Sequence, residues 1–556
     1  MMFSIKILRI VSICVSLGEH PIVRYYRPRN PTHEAGVLCS HLARFVQEEL
    51  DLFARYHPEF PPQSPRPRGV LLITDRSLDL FSPLVHEFTY QALALDVLPI
   101  SDGDKVTYKY ISNQGRPNEE EKHVDIGEKD KIWVANRHMH MKDLLEKLVA
   151  DFNKFRAENP QFADNDDEAA TNVNTIKDML VGLSGFQEGK EGFALHLEMA
   201  EKCVKIFQDR KLLDVGSVEQ SLSTGLDEDY RKPRNMAEQV VRLLDDDSVT
   251  RDDRLRLLLL YLMYRNGLLP GDIQKLLAHA QLPPQNGEVI QNLDLLGVRV
   301  NKPLKDAAPP PQPVIAVKAP TMPLEDENTL SRFEPTLKSI LQEQIKGTLD
   351  QSIFPFTKVD PNDTMMGPQG DSQASLRSAK PTWARSRPSA NEPRQRVLVF
   401  MAGGATYAES RACYEVSQSM SRDVILTTSH MLTPKLFMRQ LGDLSIDRRR
   451  LDLPADRLPQ KAPAHLFERE APPKPPPQPS QPKPTALPSK PKLASPPTAA
   501  IANMNLGQRT DDWPRPGTNG SFVTPTQISS PDTGSKGKLS KKDKDKDKEK
   551  KKHRFF

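Results

Sequence analysis

The sequence predicts an α/β protein in which a large, mainly helical insertion interrupts one parallel sheet and a disordered tail follows. Three short apolar runs at 68–74 (RGVLLIT), 396–401 (RVLVFM) and 424–428 (VILTT) lack polar alternation. Such runs are typical of strands buried on both faces of a parallel sheet. The later two runs lie in a segment of about 50 residues, too small to bury a core alone. We therefore expect them to complete the sheet begun at 68–74.

Four parts follow from this prediction. Residues 1–105 form the first part of the sheet domain, and 395–445 form its second part. Between them, 106–394 is the helical insertion, with a helical hairpin at about 176–207. From 446 to 556 the apolar periodicity ends in a Pro-rich stretch and a Lys-rich terminus, which predicts disorder.

The chain begins with an apolar segment, MMFSIKILRIVSICVSLG, that Lys6 and Arg9 interrupt. No small-residue cleavage site follows, so a core helix is favoured over a targeting segment. The continuation at 18–26 predicts a turn and a strand. No other stretch reaches the roughly 18 apolar residues of a membrane span.

Apolar residues spaced at three and four predict helices in the insertion, and a glycine turn with a further helix joins the later two strands. The insertion helices are expected at 141–155, 193–207, 236–244 and 252–264, the last ending at Gly267. The helix between the strands is expected at 407–419. Residues 303–325 and 359–395, rich in Pro, Ser, Asn and Gln, predict loops.

The charge distribution argues against a nucleic-acid-binding domain. The whole chain carries +4, but its last 21 residues hold eleven basic and four acidic side chains, a net +7. The other 535 residues therefore carry −3, and no basic face is expected on the folded part. The four cysteines are far apart, which favours free thiols over a disulfide framework or a zinc site.

Two acidic residues follow the first buried strand. Asp75 and Asp79 stand where ligands collect in open α/β sheets. Their spacing is not that of a phosphatase motif, and no nucleophile partner follows in a recognisable order. We favour a structural turn in which Asp75 caps the chain and pairs with Arg76.

A glycine turn, Gly403 and Gly404, lies between a strand and a helix, where a phosphate could bind. It lacks the P-loop and dinucleotide patterns. Thr406 is more simply the helix N-cap, with Glu409 completing a capping box.

Histidine motifs give no metal prediction. His138 and His140 form an HxH pair without further nearby ligands, so a helix start or core role is favoured. His86 and Glu87 begin an HExxH-like stretch, but position 90 is Tyr. We expect no cofactor and no catalytic residue.

As a set, several motifs resemble the Sec-one/Munc-eighteen (SM) family of SNARE regulators. The stretch at 73–100, ITDRSLDLFSPLVHEFTYQALALDVLPI, resembles the signature of the family's second domain. The stretches at 399–418, VFMAGGATYAESRACYEVSQ, and 428–434, TSHMLTP, resemble its returning segment. Between them occur, in the family's order, LHLEMAEKC, VEQSLSTGLD, LLLLYLMYRNGL and NLDLLGV. The resemblance covers about 10–445.

The resemblance implies an arch-shaped fold without the family's first domain, in which 1–105 and 395–445 are the second domain and 106–394 the third. The Pro-rich, Lys-ending tail is similar to that of the fungal exocytic branch. The motif residues with an implied structural role are Asp75, Arg76, Asp79, Pro83, His86, Glu87, Gln91, Gly403, Gly404, Thr406, Glu409, Arg411, Tyr414 and Glu415.

The resemblance also implies partners and a location. Family members bind syntaxin-type SNAREs of the plasma membrane and the assembled SNARE complex, in the cytoplasm at the plasma membrane and secretory vesicles, without enzymatic activity. The hairpin would template SNARE helices, whose apolar seams need a matched surface. Phe186, Phe193, Leu197 and Met199 are the candidates for this surface, and packing inside the third domain is the alternative for each. The family's hairpin usually turns at Pro, whereas here 183–186 is Leu-Ser-Gly-Phe.

Two other functions stay open at this stage. The Lys-rich tail could attract an anionic lipid surface or be a solvated end, and with the PxxP segments it could make the chain a membrane-associated scaffold. SNARE binding that survives deletion of 446–556 would exclude this scaffold function. An α/β phosphate-ester enzyme that uses Asp75 and the glycine turn is the less favoured alternative.

Overall fold

The computed structural model describes residues 2–28, 34–102, 106–112, 120–158, 176, 187–305, 329–358, 394–447 and 450. All of them belong to one unit of the chain, Met1–Ala462. The second unit, Pro463–Phe556, contains none. Most of the predicted tail, most of 303–325 and most of 359–395 therefore lie outside the described residues.

Four parallel strands form the main sheet in the order β1-β2-β6-β8. Their bounds are β1 Ile22–Tyr25, β2 Val70–Asp75, β6 Val397–Ala402 and β8 Val424–Thr428. Val70 lies beside Val397, and Val397 beside Val424. Every residue of β2 and β6 is buried. The prediction of one sheet built from two distant parts of the chain is confirmed.

Helices on this sheet close its core. They are α1 Met2–Ser16, α2 Leu38–Tyr56, α12 Thr336–Lys346 and α13 Tyr407–Met420. The apolar side of α1, including Ile10 and Cys14, is buried in this core, so the predicted core helix is confirmed. In α12, Leu337 and Leu341 pack into the same core, although the predicted boundary at 394 assigns them to the insertion.

The insertion contains most of the remaining helices. They are α3 Tyr90–Val97, α4 Lys131–Asn136, α5 Met141–Glu158, α6 Gln187–Asp209, α7 Leu212–Thr224, α8 Met236–Leu244, α9 Arg251–Tyr264, α10 Pro270–His279 and α11 Asn286–Asn292. Each predicted helix is present within one or two turns of its expected bounds. Gly267 follows α9 with φ +93, a conformation that glycine adopts without strain.

The helices bury two cores of their own. One is formed by α7 to α11 and by α14, Pro434–Asp443. The other is formed by α3 to α6. Asn292 fixes α14 to α11 because its side-chain amide donates to the carbonyl of Leu441 at 2.8 Å. The returning part of the chain therefore completes a helical core as well as the sheet.

Two small sheets escaped prediction. The strands β3 Ile100–Asp102, β4 Val106–Ser112 and β5 Glu120–Asp125 form an antiparallel sheet. The strands β7 Ala405–Thr406 and β9 Met431–Leu432 pair in parallel. Among the residues that the structure describes, no helix has the length and apolar character to cross a bilayer.

Candidate functional site

The acidic turn after β2 holds the chain together rather than facing a cleft. Asp75 accepts hydrogen bonds from the Ser77 amide at 2.9 Å and from the Cys39 thiol at 3.1 Å. Asp79 accepts from the amides of Ser82 and Thr336 at 3.0 and 2.9 Å. The predicted cap by Asp75 is confirmed. Both carboxylates are therefore occupied by hydrogen bonds within the protein.

Arg76 pairs with Glu409, so the predicted pairing of Arg76 with Asp75 is wrong. The guanidinium donates to both Glu409 carboxylate oxygens, at 2.7 and 2.8 Å. Burial lowers the pKa of Arg76, but Glu409 outweighs it and raises the pKa above its ordinary value. The Asp75 carboxylate already accepts hydrogen bonds from Ser77 and Cys39. Both oxygens of the Glu409 carboxylate, in contrast, bind the guanidinium in a bidentate pair. This pair joins the two halves of the sheet.

The glycine turn is filled by protein groups. A Cβ on Gly404, whose φ is +99, would lie 2.5 Å from Leu432 Cγ. Thr406 and Glu409 form the predicted capping box at the start of α13, which uses the donors that a phosphate would need. The cavity beside Pro83 and Thr406 has only about 30 Å³, room for roughly one water molecule.

His86 lies in a buried ionic cluster between the signature loop, which is residues 76–89 between β2 and α3, and two helices of the insertion. Its amide and its Nδ1 each lie within hydrogen-bonding distance of Glu219 on α7. Its Nε2 lies 3.4 Å from Asp253 on α9 and 2.9 Å from Arg256 Nη1. Arg256 also donates to Asp96 at 2.8 Å. These contacts tie the sheet domain to α7 and α9.

Burial and Arg256 both lower the pKa of His86. Glu219 and Asp253 outweigh them and raise it to about 9. Burial acts to raise the pKa of Asp253, but His86 and Arg256 outweigh it and hold that pKa well below its ordinary value. The cluster is therefore a buried network of opposite charges in the folded state.

A third cluster surrounds Arg411 on α13. Arg411 pairs with Glu87 at 3.3 Å and with Glu415 on its own helix, and Lys338 on α12 pairs with Glu415 at 3.0 Å. Burial dominates at Glu87 and raises its pKa despite Arg411. This cluster links α12, α13 and the signature loop.

Beside it, Tyr414 is 47% exposed and lies against two side chains of the 137–140 loop. Arg137 donates to its hydroxyl at 3.2 Å, and the ring of His138 lies 4.9 Å from the tyrosine ring. His140 instead accepts from the Lys142 amide at the start of α5. The amide of Gln91 donates to the carbonyl of Arg137, which fixes this loop on α3.

The predicted SNARE-contacting residues are not on the surface of the described hairpin helix. In α6, Phe193 is 5% exposed, and Leu197 and Met199 are fully buried against α3, α4, α5 and α7. The expectation that these three form a receiving surface is not met here, and the alternative of packing inside the domain describes them. Phe186 and the turn at 183–186 lie outside the described residues.

The middle of α6 is held by a chain of polar contacts. The Tyr90 hydroxyl lies 2.8 Å from His196 Nδ1, and His196 Nε2 lies 2.8 Å from Asp130. With Nε2 protonated, His196 donates to Asp130 and accepts from Tyr90, so all three groups are satisfied. Lys202 adds contacts to Tyr108 and Glu198. These polar contacts therefore hold the middle of α6 against α3 and α4.

Several of these residues were not singled out in the sequence. Glu219, Asp253, Arg256 and His196 all lie on helices and are at most 5% exposed. One signal was available: Arg256 interrupts the apolar run RLRLLLLYLMY, and a charge at a core position requires a buried partner.

The motifs at 73–100 and 399–434, together with a parallel sheet interrupted by a helical insertion, are the features of one protein family. The Sec1 family model matches residues 7–440, so this chain belongs to the Sec1 family. The resemblance to the SM family is confirmed, and so is the α/β class with a parallel sheet interrupted by a helical insertion.

Relatives and solved structures agree. The chain is 38% identical over 427 residues to the protein transport protein sec1 of Schizosaccharomyces pombe, covering 76% of this chain and 60% of that protein. It is 30% identical over 478 residues to the protein transport protein SEC1 of Saccharomyces cerevisiae, covering 79% and 65%. The chain thus spans less than two thirds of the length of these relatives.

Among solved structures, the crystal structure of the Unc18–syntaxin 1 complex from Monosiga brevicollis is similar with a TM-score of 0.64 and 26% identity. The match covers 79% of this chain and 71% of that chain.

Proposed function

We propose that this chain is a SNARE-binding regulator that promotes vesicle docking and fusion in secretory transport. The observation that carries the proposal is the fold shared with the Unc18 protein whose structure is a complex with syntaxin 1. The partners would be a syntaxin-type SNARE of the plasma membrane and the assembled SNARE complex. The chain would act in the cytoplasm, peripherally at the plasma membrane and secretory vesicles.

The polar clusters support a non-catalytic role. Arg76, His86 and Arg411 each lie beside at least one carboxylate, and Arg76 and His86 are almost wholly buried. A catalytic acid or base must reach a substrate proton within hydrogen-bonding distance, and the cavity at the signature motif admits about one water molecule. These charges instead hold the elements that surround the hairpin.

The mechanism would be templating. A hairpin on a rigid base can hold two SNARE helices in register, so that their zippering begins with part of the ordering entropy already lost. The series of hydrogen bonds from Tyr90 through His196 to Asp130 supplies that rigid base. Phe186, which lies outside the described residues, remains the proposed contact residue.

A binding measurement with the purified full chain tests this function. A syntaxin cytosolic region and an assembled SNARE bundle would each be titrated by calorimetry, with circular dichroism to show that the chain is folded. We expect saturable binding to the bundle. A folded protein that binds neither partner would overturn the proposal. Tyr56→Asp is the control for the variant Phe186→Asp, since both place an aspartate at an aromatic position. Tyr56 is 75% exposed on α2, far along the chain from the hairpin.

A further inference from the structure

The edge of the main sheet at which its strands begin is rich in arginine. Five arginines precede parallel strands by one to four residues, while Glu19 and Asp423 are the acidic residues within four positions of a strand start. Because the register aligns the first residues of neighbouring strands, these side chains meet at one edge of the sheet. The arginines of this basic edge are Arg66, Arg68, Arg394, Arg396 and Arg422.

A cleft of about 660 Å³ opens at this edge. Arg66, Arg68 and Arg396 line it, together with His20 and Glu19. The turn between α1 and β1 forms one wall, and the proline-containing loop between α2 and β2 forms another. This volume falls within the range of small-molecule sites.

The carboxylates at the cleft are shared among the arginines. Arg66 donates to Asp423 at 2.8 Å, and Arg396 donates to Glu19 at 3.2 Å. The Nε of Arg396 is buried without a hydrogen bond, with an Asp423 oxygen 3.5 Å away. Arg66 keeps 38% of its side chain exposed. Of the described residues that line the cleft, three are arginines and one, Glu19, is acidic.

One further acid lies beside the cleft: Asp51 is 3.3 Å from His20, and it also pairs with Lys358. Burial and Arg68 lower the pKa of His20, against the opposing effect of Asp51, which favours the neutral form of His20. Burial and Arg394 lower the pKa of Arg422, because two positive charges approach each other. Arg394 is held there by donating to the carbonyl of Ser421 at 2.9 Å. The edge keeps an excess of positive charge.

We infer that this cleft binds a compact anion with two or more phosphate groups, of the size of an inositol phosphate. Guanidinium groups form two parallel hydrogen bonds to a phosphate, which is why arginine predominates at phosphate sites. Three of them around one concave space match several phosphates on a small ring better than a single carboxylate. The ligand could be free in solution or the headgroup of a lipid, and the chemistry of recognition is the same.

Calorimetry with the full chain and inositol trisphosphate tests the inference. Arg66→Gln removes one exposed guanidinium and is expected to weaken binding about tenfold, the effect of one charge-assisted hydrogen bond. Gln63→Glu places a negative charge on the exposed loop that lines the cleft and is expected to weaken binding at least as much. Arg251→Gln, an equal charge change on the exposed start of α9, is expected to leave affinity unchanged. The Lys-rich terminus is present in every variant, so its contribution cancels.

The outcomes are distinct. Loss in the two cleft variants but not in Arg251→Gln supports the inference. Equal loss in all three, or no saturable binding by the unaltered chain, overturns it. Sedimentation with phosphatidylcholine vesicles that contain phosphatidylinositol bisphosphate separates the two sources of the ligand. Vesicle binding that depends on Arg66 assigns the lipid headgroup, and trisphosphate binding without it assigns the free anion.

Discussion

Arg256 and His86 approach each other to 2.9 Å between Nη1 and Nε2, although both side chains are basic. Three carboxylates surround the pair: Asp96, Asp253 and Glu219. Both basic side chains are at most 2% exposed, so solvent cannot screen them. The approach is tolerable only because the acids are in place.

The first prediction is that stability falls at alkaline pH through His86. Its pKa of about 9 in the folded protein lies above the ordinary value of 6.5, so folding takes up a proton. The stabilisation is complete below about pH 6.5 and is lost as the pH rises through about 9. It is on the order of 3 kcal/mol.

Urea unfolding between pH 6 and 10 would measure this effect. His86→Gln should remove that part of the pH dependence, while His279→Gln, a half-exposed histidine, should keep it. Parallel pH profiles for the unaltered protein and His86→Gln would contradict the prediction.

The second prediction concerns the pair that joins the halves of the sheet. Glu409→Gln leaves the buried guanidinium of Arg76 without its counter-charge, which typically costs about 3–5 kcal/mol of unfolding free energy. Asp229→Asn, at the exposed pair with Arg231, should change it by less than about 1 kcal/mol. Chemical denaturation measures both, and equal effects would show that the buried pair contributes nothing special.

The third prediction concerns the glycine turn. Gly404→Ala combines a positive φ with a Cβ 2.5 Å from Leu432, so we expect a loss of roughly 2–4 kcal/mol. Gly271→Ala, where nothing lies within 4 Å of the new Cβ, should be neutral or slightly stabilising. Thermal unfolding of both variants checks this, and an unchanged melting temperature for Gly404→Ala would refute it.

The fourth prediction separates binding from packing in the hairpin. Phe186→Asp should weaken binding of the assembled SNARE complex at least tenfold, about 1.4 kcal/mol, without lowering stability. Leu197→Ala, at a fully buried position, should lower the unfolding free energy by about 2–5 kcal/mol and leave the affinity of the folded fraction unchanged. Calorimetry and denaturation distinguish them; the reverse pattern would place the contact on the buried side of α6.

The sequence predicted those features that depend on local pattern. The buried strands at 70–75 and 397–402 and the capping box of Thr406 and Glu409 follow from short motifs, and the structure contains them. The sheet of β3 to β5 was missed because its strands carry charges such as Lys109 and Glu121, which pair across the strands on the exposed face.

Features that depend on distant neighbours were not predicted from pattern. Apolar spacing marks Leu197 and Met199 as one side of a helix, but only the surrounding helices decide that this side is covered. For the same reason, the short motif that contains Asp75 and Arg76 does not show that the ion-pair partner of Arg76 is Glu409, which is distant in the sequence. The place of α12 on the sheet, fixed by Thr336 and Asp79, likewise needs the whole chain.

The parallel pairing of Val70 with Val397 has a consequence for biosynthesis. When β2 leaves the ribosome, the strand that covers one of its sides lies 327 residues further along the chain. At about 5–20 residues per second, that strand arrives roughly 15–65 seconds later. During this interval a strand of six buried residues presents an open edge, the kind of surface that chaperones shield and that otherwise nucleates aggregation. Yield from an expression host should therefore respond more to chaperone supply than to the final stability of the fold.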